Sequence, residues 1–165
     1  MNRNQTFVSD KLTEMLMIQI QHEQNNANIY GTISNYFDSI GLEQCHKWFT
    51  HQRQEELEHA QKLIDFSTAA GVELNLIGID KTDLSEILDP VKLMQKYLDL
   101  EIETTDSIRN LCKQSLEDND FVSFNFLNGF IAAQLSEENE AQTRLQIFLN
   151  TKDWIVADMA VGELD

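Results

Sequence analysis

The chain has 165 residues, of which 42% are hydrophobic, with six Gly and one Pro, and its 28 Asp and Glu against 12 Lys and Arg give a formal charge of -16. This length suits one domain, residues 1–165, with a sizeable core, and so little Gly and Pro favours long helices over a turn-rich β fold. The acidity argues against a nucleic-acid partner and makes cations the natural ligands.

Phe, Ile and Leu recur throughout, which excludes a disordered chain. Met1 to Asp10 contains no apolar run of the signal-peptide kind, and no stretch approaches transmembrane length. A cytoplasmic protein without a membrane partner is therefore expected. Cys45 and Cys112 sit in periodic segments and read as buried small hydrophobes rather than as a metal-ligand pair.

From about Phe7 to Phe37, Leu12, Met15, Leu16, Ile20, Ala27, Tyr30, Ile33 and Phe37 recur at helical spacing, with Ser9 or Asp10 as cap. After a break at Asp38–Gly41, a second helix is expected from about Leu42 to Ala70, stopped by Gly71. Residues 71–89 read as an extended crossing with a turn near Leu84–Leu88. Extended, this segment spans ~60 Å, whereas a helix of the expected length measures ~42 Å. The crossing can therefore return the chain to the start of helix two, so helices two and three run parallel. Asp89-Pro90 is a cap followed by Pro at the first helical position, opening a third helix to about Glu117. A fourth runs from about Phe121 to Leu149, and a short fifth from about Asp153 to Val161. The fold class is all-α: a four-helix bundle, core about 7–149, with a long crossover and a short C-terminal helix.

Each long helix carries a polar residue near the middle of its apolar stripe: Glu23, then Glu56 with His59 three residues on, then Glu101, then Gln134 with Glu137. Helices of similar length packed side by side bring their centres to one level, whether parallel or antiparallel. Four carboxylates in one apolar layer are costly without cations, and a pair of divalent metals turns that cost into a site. Carboxylates with one imidazole suit iron or manganese. Glu56 and Glu101 are the natural bridges; Glu23 and His59 complete one ion and Glu137 the other. Tyr30, on the face of Glu23, is placed to hydrogen-bond a ligand or donate an electron, and Gln134 to orient a carboxylate or water. His22, His46 and His51 lack such company and read as surface or interface residues.

These residues, with Asn28-Ile-Tyr30, Glu55-Glu56 followed by His59-Ala-Gln-Lys-Leu63, and Phe124-Asn-Phe-Leu127, resemble the non-haem bacterial ferritins of the ferritin-like di-iron family, over roughly Leu12 to Leu149. The resemblance implies a twenty-four-subunit homo-oligomeric cage that oxidises Fe(II) with dioxygen or peroxide and stores ferric mineral. It implies two Fe per subunit: Glu23, Glu56 and His59 on the first, and Glu56, Glu101 and Glu137 on the second. Gln134 would lie near the second ion and Tyr30 behind the ligands. No haem is expected, because Leu57 stands where the haem-binding relatives carry Met. A third iron site in this family uses carboxylates where this chain has Ala133 and Ser136, leaving Glu55 as its evident remaining ligand. The alternatives are a soluble di-iron oxidase or peroxidase without storage, and a structural bundle with an inactive polar layer.

Overall fold

The structure, a computed structural model, describes residues 7–164. The stretch Met1–Asp10, read above for a signal peptide, lies partly outside the described residues, as does the final residue of the expected domain 1–165. Five α-helices are present and no strand among the described residues: α1 (Asp10–Ser39), α2 (Glu43–Ala69), α3 (Pro90–Glu117), α4 (Phe121–Asn150) and α5 (Trp154–Gly162), with one 3-10 turn at Ser85–Ile87 in the crossover. The expected all-α bundle with a long crossover and short C-terminal helix is what forms. No helix among the described residues is long and apolar enough to cross a membrane.

Local chemistry sets the helix ends. The Ser9 hydroxyl accepts from the Leu12 N–H at 3.1 Å, so α1 begins at Asp10 rather than at Phe7. Asp89 accepts from the Lys92 N–H at 3.0 Å ahead of Pro90. Gly71 has φ +80, the left-handed conformation that ends α2 without a Cβ penalty.

The start of α2 is different. Its own cap residue, Leu42, offers no side-chain oxygen; instead Asp158 of α5 accepts from the Cys45 N–H at 2.8 Å and the Gln44 N–H at 3.1 Å. A carboxylate from the C-terminal helix thus satisfies two orphan donors and meets the positive end of the α2 dipole. Asp158→Ala is expected to cost about 1–2 kcal/mol in chemical denaturation, and Asp158→Asn less. Unchanged stability in both would show that α2 needs no remote cap.

Side-chain contacts fix the directions. Ser34 of α1 meets Thr50 of α2 at 2.8 Å, and Glu23 lies beside Glu56, so the contacts ascend α2 as they descend α1 and the two helices are antiparallel neighbours. Along α1 and α3 the contacts run Ser9 to Asp118, His22 to Thr104 and Tyr30 to Glu101, descending as α1 ascends. Helices α1 and α3 are therefore antiparallel, so α2 and α3 are parallel, as the crossover length requires. The crossover lies along α1: Gln21 Nε2 donates to the Gly78 carbonyl at 2.6 Å, Asn25 exchanges two bonds with Asp80, and the Tyr36 hydroxyl donates to the Leu88 carbonyl at 3.3 Å.

The apolar core has two parts. One gathers Ile33, Phe37, Phe49, Leu93, Met94, Leu145 and Phe148. The other gathers Leu12, Leu16, Ile20, Leu63, Ile108, Leu111 and Leu127. Both cysteines are buried and unbridged, Cys45 in the first and Cys112 in the second. Between the two parts lies a polar layer.

Candidate metal centre

The layer is built from the middles of four helices. Glu23 and Glu101 are fully buried, and Glu56 and Gln134 are each only 2% exposed. The 3.6-residue period explains the placement: Glu23 follows Leu16 and Ile20 on the inner face of α1, and Glu56 follows Phe49 and Gln52 on that of α2. His59, one turn beyond Glu56, turns the same way. Its Nδ1 lies 3.9 Å from Glu56 Oε2, and its Nε2 lies 3.6 Å from Glu137 Oε1 on α4.

Glu23, Glu56 and His59 each offer one ligand atom, all within 4.8 Å of one another. On the opposite side, the Tyr30 hydroxyl donates to Glu101 Oε1 at 2.5 Å. Gln134 Nε2 donates to Glu101 Oε2 at 3.1 Å and to Glu137 Oε2 at 2.6 Å, so one amide ties both carboxylates. Glu23 Oε1 is held at 2.7 Å by Gln19 Nε2. The structure therefore brings Glu23, Glu56, His59, Glu101, Gln134, Glu137 and Tyr30 into one layer.

Electrostatics give the layer its character. Burial first, then Glu23, Glu101 and Glu137, hold the Glu56 carboxyl well above the usual carboxylate range. Burial pushes Glu101 up to about 7 against the opposing hydrogen bonds from Tyr30 and Gln134, and pushes Glu137 up to about 8. Burial also lowers the affinity of His59 for its proton, despite nearby Glu23. Carboxyls are pressed toward neutrality and the imidazole toward its neutral, ligating form, the pattern of anionic donors gathered around a missing positive charge.

The buried oxygens Glu23 Oε2, Glu56 Oε2 and Gln134 Oε1 have no hydrogen-bond partner. Orphaned buried acceptors are costly, and a cation is the group that would satisfy acceptors of this kind. Oxygen donors with a single imidazole and no thiolate fit iron or manganese. The residues present fit divalent metal.

Glu55 is not brought into the layer. It is half-buried, held by Gln52 Nε2 at 2.6 Å and by His51 Nδ1 at 3.3 Å. It lines a separate 380 Å³ cavity between α2 and α4 with Trp48, His51, Glu140 and Arg144. Ala133 and Ser136 are exposed, and the Ser136 hydroxyl donates to Glu140 at 3.1 Å. Leu57, next to Glu56, is 40% exposed on the outer side of the helix.

Two features exceed the sequence reading. His22, read as a surface or interface residue, is half-buried and meets the Thr104 hydroxyl at 2.8 Å between α1 and α3. Gln52, a polar position on the α2 stripe with no assigned role, accepts from the Tyr97 hydroxyl at 2.9 Å while donating to Glu55. Only the pairing of distant helices reveals Thr104 and Tyr97 as partners.

A family model described as a ferritin-like domain matches residues 13–148. The bacterial non-heme ferritin of Staphylococcus aureus (strain USA300) is 30% identical over 148 residues, covering 88% of this chain and 87% of the relative. That of Staphylococcus haemolyticus (strain JCSC1435) is 30% identical over 145 residues, covering 87% of this chain and 85% of the relative. Among solved structures, an open-pore ferritin from the hyperthermophilic archaeon Archaeoglobus fulgidus superposes with a TM-score of 0.90 at 31% identity, covering 97% of this chain and 98% of that one. A humanized archaeal ferritin superposes at 0.89 with 34% identity, covering 95% of each chain.

Proposed function

The chain belongs to the ferritin family, and from that premise we propose that it is an iron-storage ferritin whose carboxylate layer oxidises Fe(II). The observation that carries this reading is the set of orphaned, buried Glu23 and Glu56 oxygens within ligand reach of His59. A purely structural polar layer would be expected to close its hydrogen bonds.

Iron is the substrate. Glu23, Glu56 and His59 hold one Fe(II); Glu56, Glu101 and Glu137 hold a second, giving two Fe per subunit without haem. Each Fe(II) gives one electron to dioxygen or peroxide, and hydrolysis of the ferric product releases protons. The chain's part is to fix the geometry. Gln134 ties Glu101 to Glu137, Tyr30 locks the outer oxygen of Glu101, and Gln19 locks Glu23. Such supports behind the ligands are commonly worth about 10–100-fold in affinity or activity. The surrounding apolar core keeps bulk water from the layer and strengthens its electrostatics.

The chain acts as one domain, residues 1–165, in a cytoplasmic homo-oligomeric cage of twenty-four subunits. Exposed Leu76, Ile77 and Ile79 in the crossover, and Ile155, Val156 and Met159 on α5, support burial between copies. The combined negative charge of such a shell draws in Fe(II), less so at high salt. With Glu55 turned away and no carboxylate at Ala133 or Ser136, the third iron site is absent in its usual form.

The test is aerobic Fe(II) titration of the metal-free protein, following oxidation optically and particle mass by light scattering. A large particle that rapidly oxidises about two Fe(II) per chain and then retains a mineral supports the proposal. Rapid oxidation by a small oligomer that retains nothing would replace it with a di-iron oxidase. No Fe(II) binding would leave a structural bundle.

A further inference from the structure

We propose that the groove between α1 and α2 beside Arg53 and His46 is a binding site for inorganic phosphate, separate from the carboxylate layer and independent of its function.

The groove has a volume of 320 Å³ and is lined by Asn28, Thr32 and Asn35 of α1 and by His46, Thr50 and Arg53 of α2, among others. None of its lining residues is Asp or Glu, in a chain that carries 28 of them. A neighbouring groove of 500 Å³ shares His46, Thr50 and Arg53 and is likewise free of carboxylates. A chain with a formal charge of -16 repels anions from most of its surface. A place that holds one must be kept clear of carboxylates and supplied with donors.

Arg53 is the charge of the site. The other basic groups nearby already have partners: Lys47 pairs with Glu43 at 2.7 Å, and His51 Nδ1 lies 3.3 Å from Glu55. Arg53 has neither an ion pair nor a hydrogen bond among the described residues. Its planar guanidinium matches two oxygens of a phosphate. The sequence also makes room for it. A Cβ at Gly31 would lie 3.0 Å from Arg53 Cδ and 3.3 Å from Nε, so the bare backbone of α1 is the seat for the arginine stem. Glycine inside a helix lowers stability, and contact with this one side chain accounts for its place.

His46 selects the anion. Its Nδ1 lies 3.2 Å from the Ser34 carbonyl oxygen, an atom that can only accept, so Nδ1 carries the hydrogen. The Ser34 hydroxyl, 3.0 Å from the same nitrogen and 2.8 Å from the Thr50 hydroxyl, holds the ring across the two helices. The Thr50 hydroxyl in turn donates to the His46 carbonyl at 2.9 Å. With Nδ1 committed as donor, Nε2 of the neutral ring is an acceptor, and it has no partner among the described residues. An acceptor beside an arginine suits an anion that brings its own proton. Inorganic phosphate keeps one P–OH near neutral pH, whereas sulfate and a doubly ionised phosphate ester keep none. Arg53 and the Asn28 and Asn35 amides donate to the ionised oxygens, and His46 Nε2 accepts from the P–OH. Bound there, phosphate bridges α1 and α2 without touching Glu23 or Glu56.

The experiment titrates inorganic phosphate, sulfate and methyl phosphate into the full metal-free protein by calorimetry, in mildly alkaline buffer where imidazole is neutral. Iron is removed because ferric ions bind phosphate themselves. Saturable binding of phosphate is expected, tighter than that of sulfate or methyl phosphate by about tenfold, the effect of one hydrogen bond. Arg53→Met should abolish it, and Lys47→Met, which removes a cation already paired, should leave it unchanged. Gly31→Ala should weaken binding severalfold while raising thermal stability, which separates loss of the arginine seat from loss of the fold. His46→Leu should erase the preference for phosphate over sulfate. Absence of saturable phosphate binding, or binding unaltered in Arg53→Met, overturns the site. Equal affinity of the wild type for phosphate and sulfate overturns the role of His46.

Discussion

Replacing Glu56 with Ala is expected to slow Fe(II) oxidation by at least about 100-fold, since losses among the supporting groups behind metal ligands already reach that size. Glu56 stands at the centre of the layer: it is buried, lies beside His59, and is raised in proton affinity by Glu23, Glu101 and Glu137 together. No neighbouring side chain can replace it. Glu55 is turned to a different cavity by Gln52 and His51, and Leu57 points outward. Stopped-flow absorbance of the ferric product measures the effect, with light scattering to show that the particle is intact. A rate within a few-fold of the wild type would remove Glu56 from the centre. Glu56→Gln should be similarly slow but more stable without metal, because it keeps the shape and deletes the buried charge.

The second large effect is on stability. The metal-free protein is expected to weaken as pH rises from about 5 to about 8. Glu101 moves from 4.5 to about 7 and Glu137 from 4.5 to about 8 on folding, and Glu56 moves in the same direction. Across that window the folded state holds more protons than the unfolded one, so the unfolding free energy falls with pH. The loss begins near the unfolded value and is complete above the folded ones. A tenfold change in proton affinity is worth about 1.4 kcal/mol, so Glu101 alone represents on the order of 3 kcal/mol. His59 acts oppositely: its lowered affinity costs stability at acid pH, and that cost disappears as pH passes its unfolded value. The three carboxyls outweigh it. Anaerobic Fe(II) should restore stability at pH 8 and release protons on binding. Denaturation of chelated and Fe(II)-loaded protein at several pH values checks both halves. Stability of the chelated protein that is flat or rising over this range would contradict the argument.

Much of this was legible in one dimension. Pro90 after Asp89, Gly71 in its left-handed conformation, and a crossover long enough to turn α3 parallel to α2 all follow from local chemistry and chain geometry. The meeting of Glu23, Glu56, Glu101 and Gln134 followed from equal helix lengths, which put every midpoint at one level whatever the direction. What stayed hidden depended on exact rotation and on distant partners. Asp158 caps a helix that begins more than a hundred residues earlier, and nothing in Leu42-Glu43-Gln44 announces that its cap comes from elsewhere. The outward turn of Glu55 depends on Gln52 and His51, two residues that pattern alone leaves equivalent to many others. The Arg144 guanidinium over the Trp48 ring exists only where α2 and α4 are laid together, and neither residue's spacing in the sequence points to it.

The division of the apolar core has a consequence for how the molecule yields. Ile20, Leu63 and Ile108 pack on one side of the polar layer, and Phe37, Phe49 and Phe148 on the other. The long helices run through both, and between them the packing is interrupted by the buried polar side chains Glu23, Glu56, Glu101 and Gln134. Without cations that seam is the weakest cross-section of the bundle, and the two halves are free to breathe as partly independent cooperative units. With cations, the ligands of four helices share common ions and the seam becomes the stiffest. Loading the centre would thus merge two local unfolding events into one.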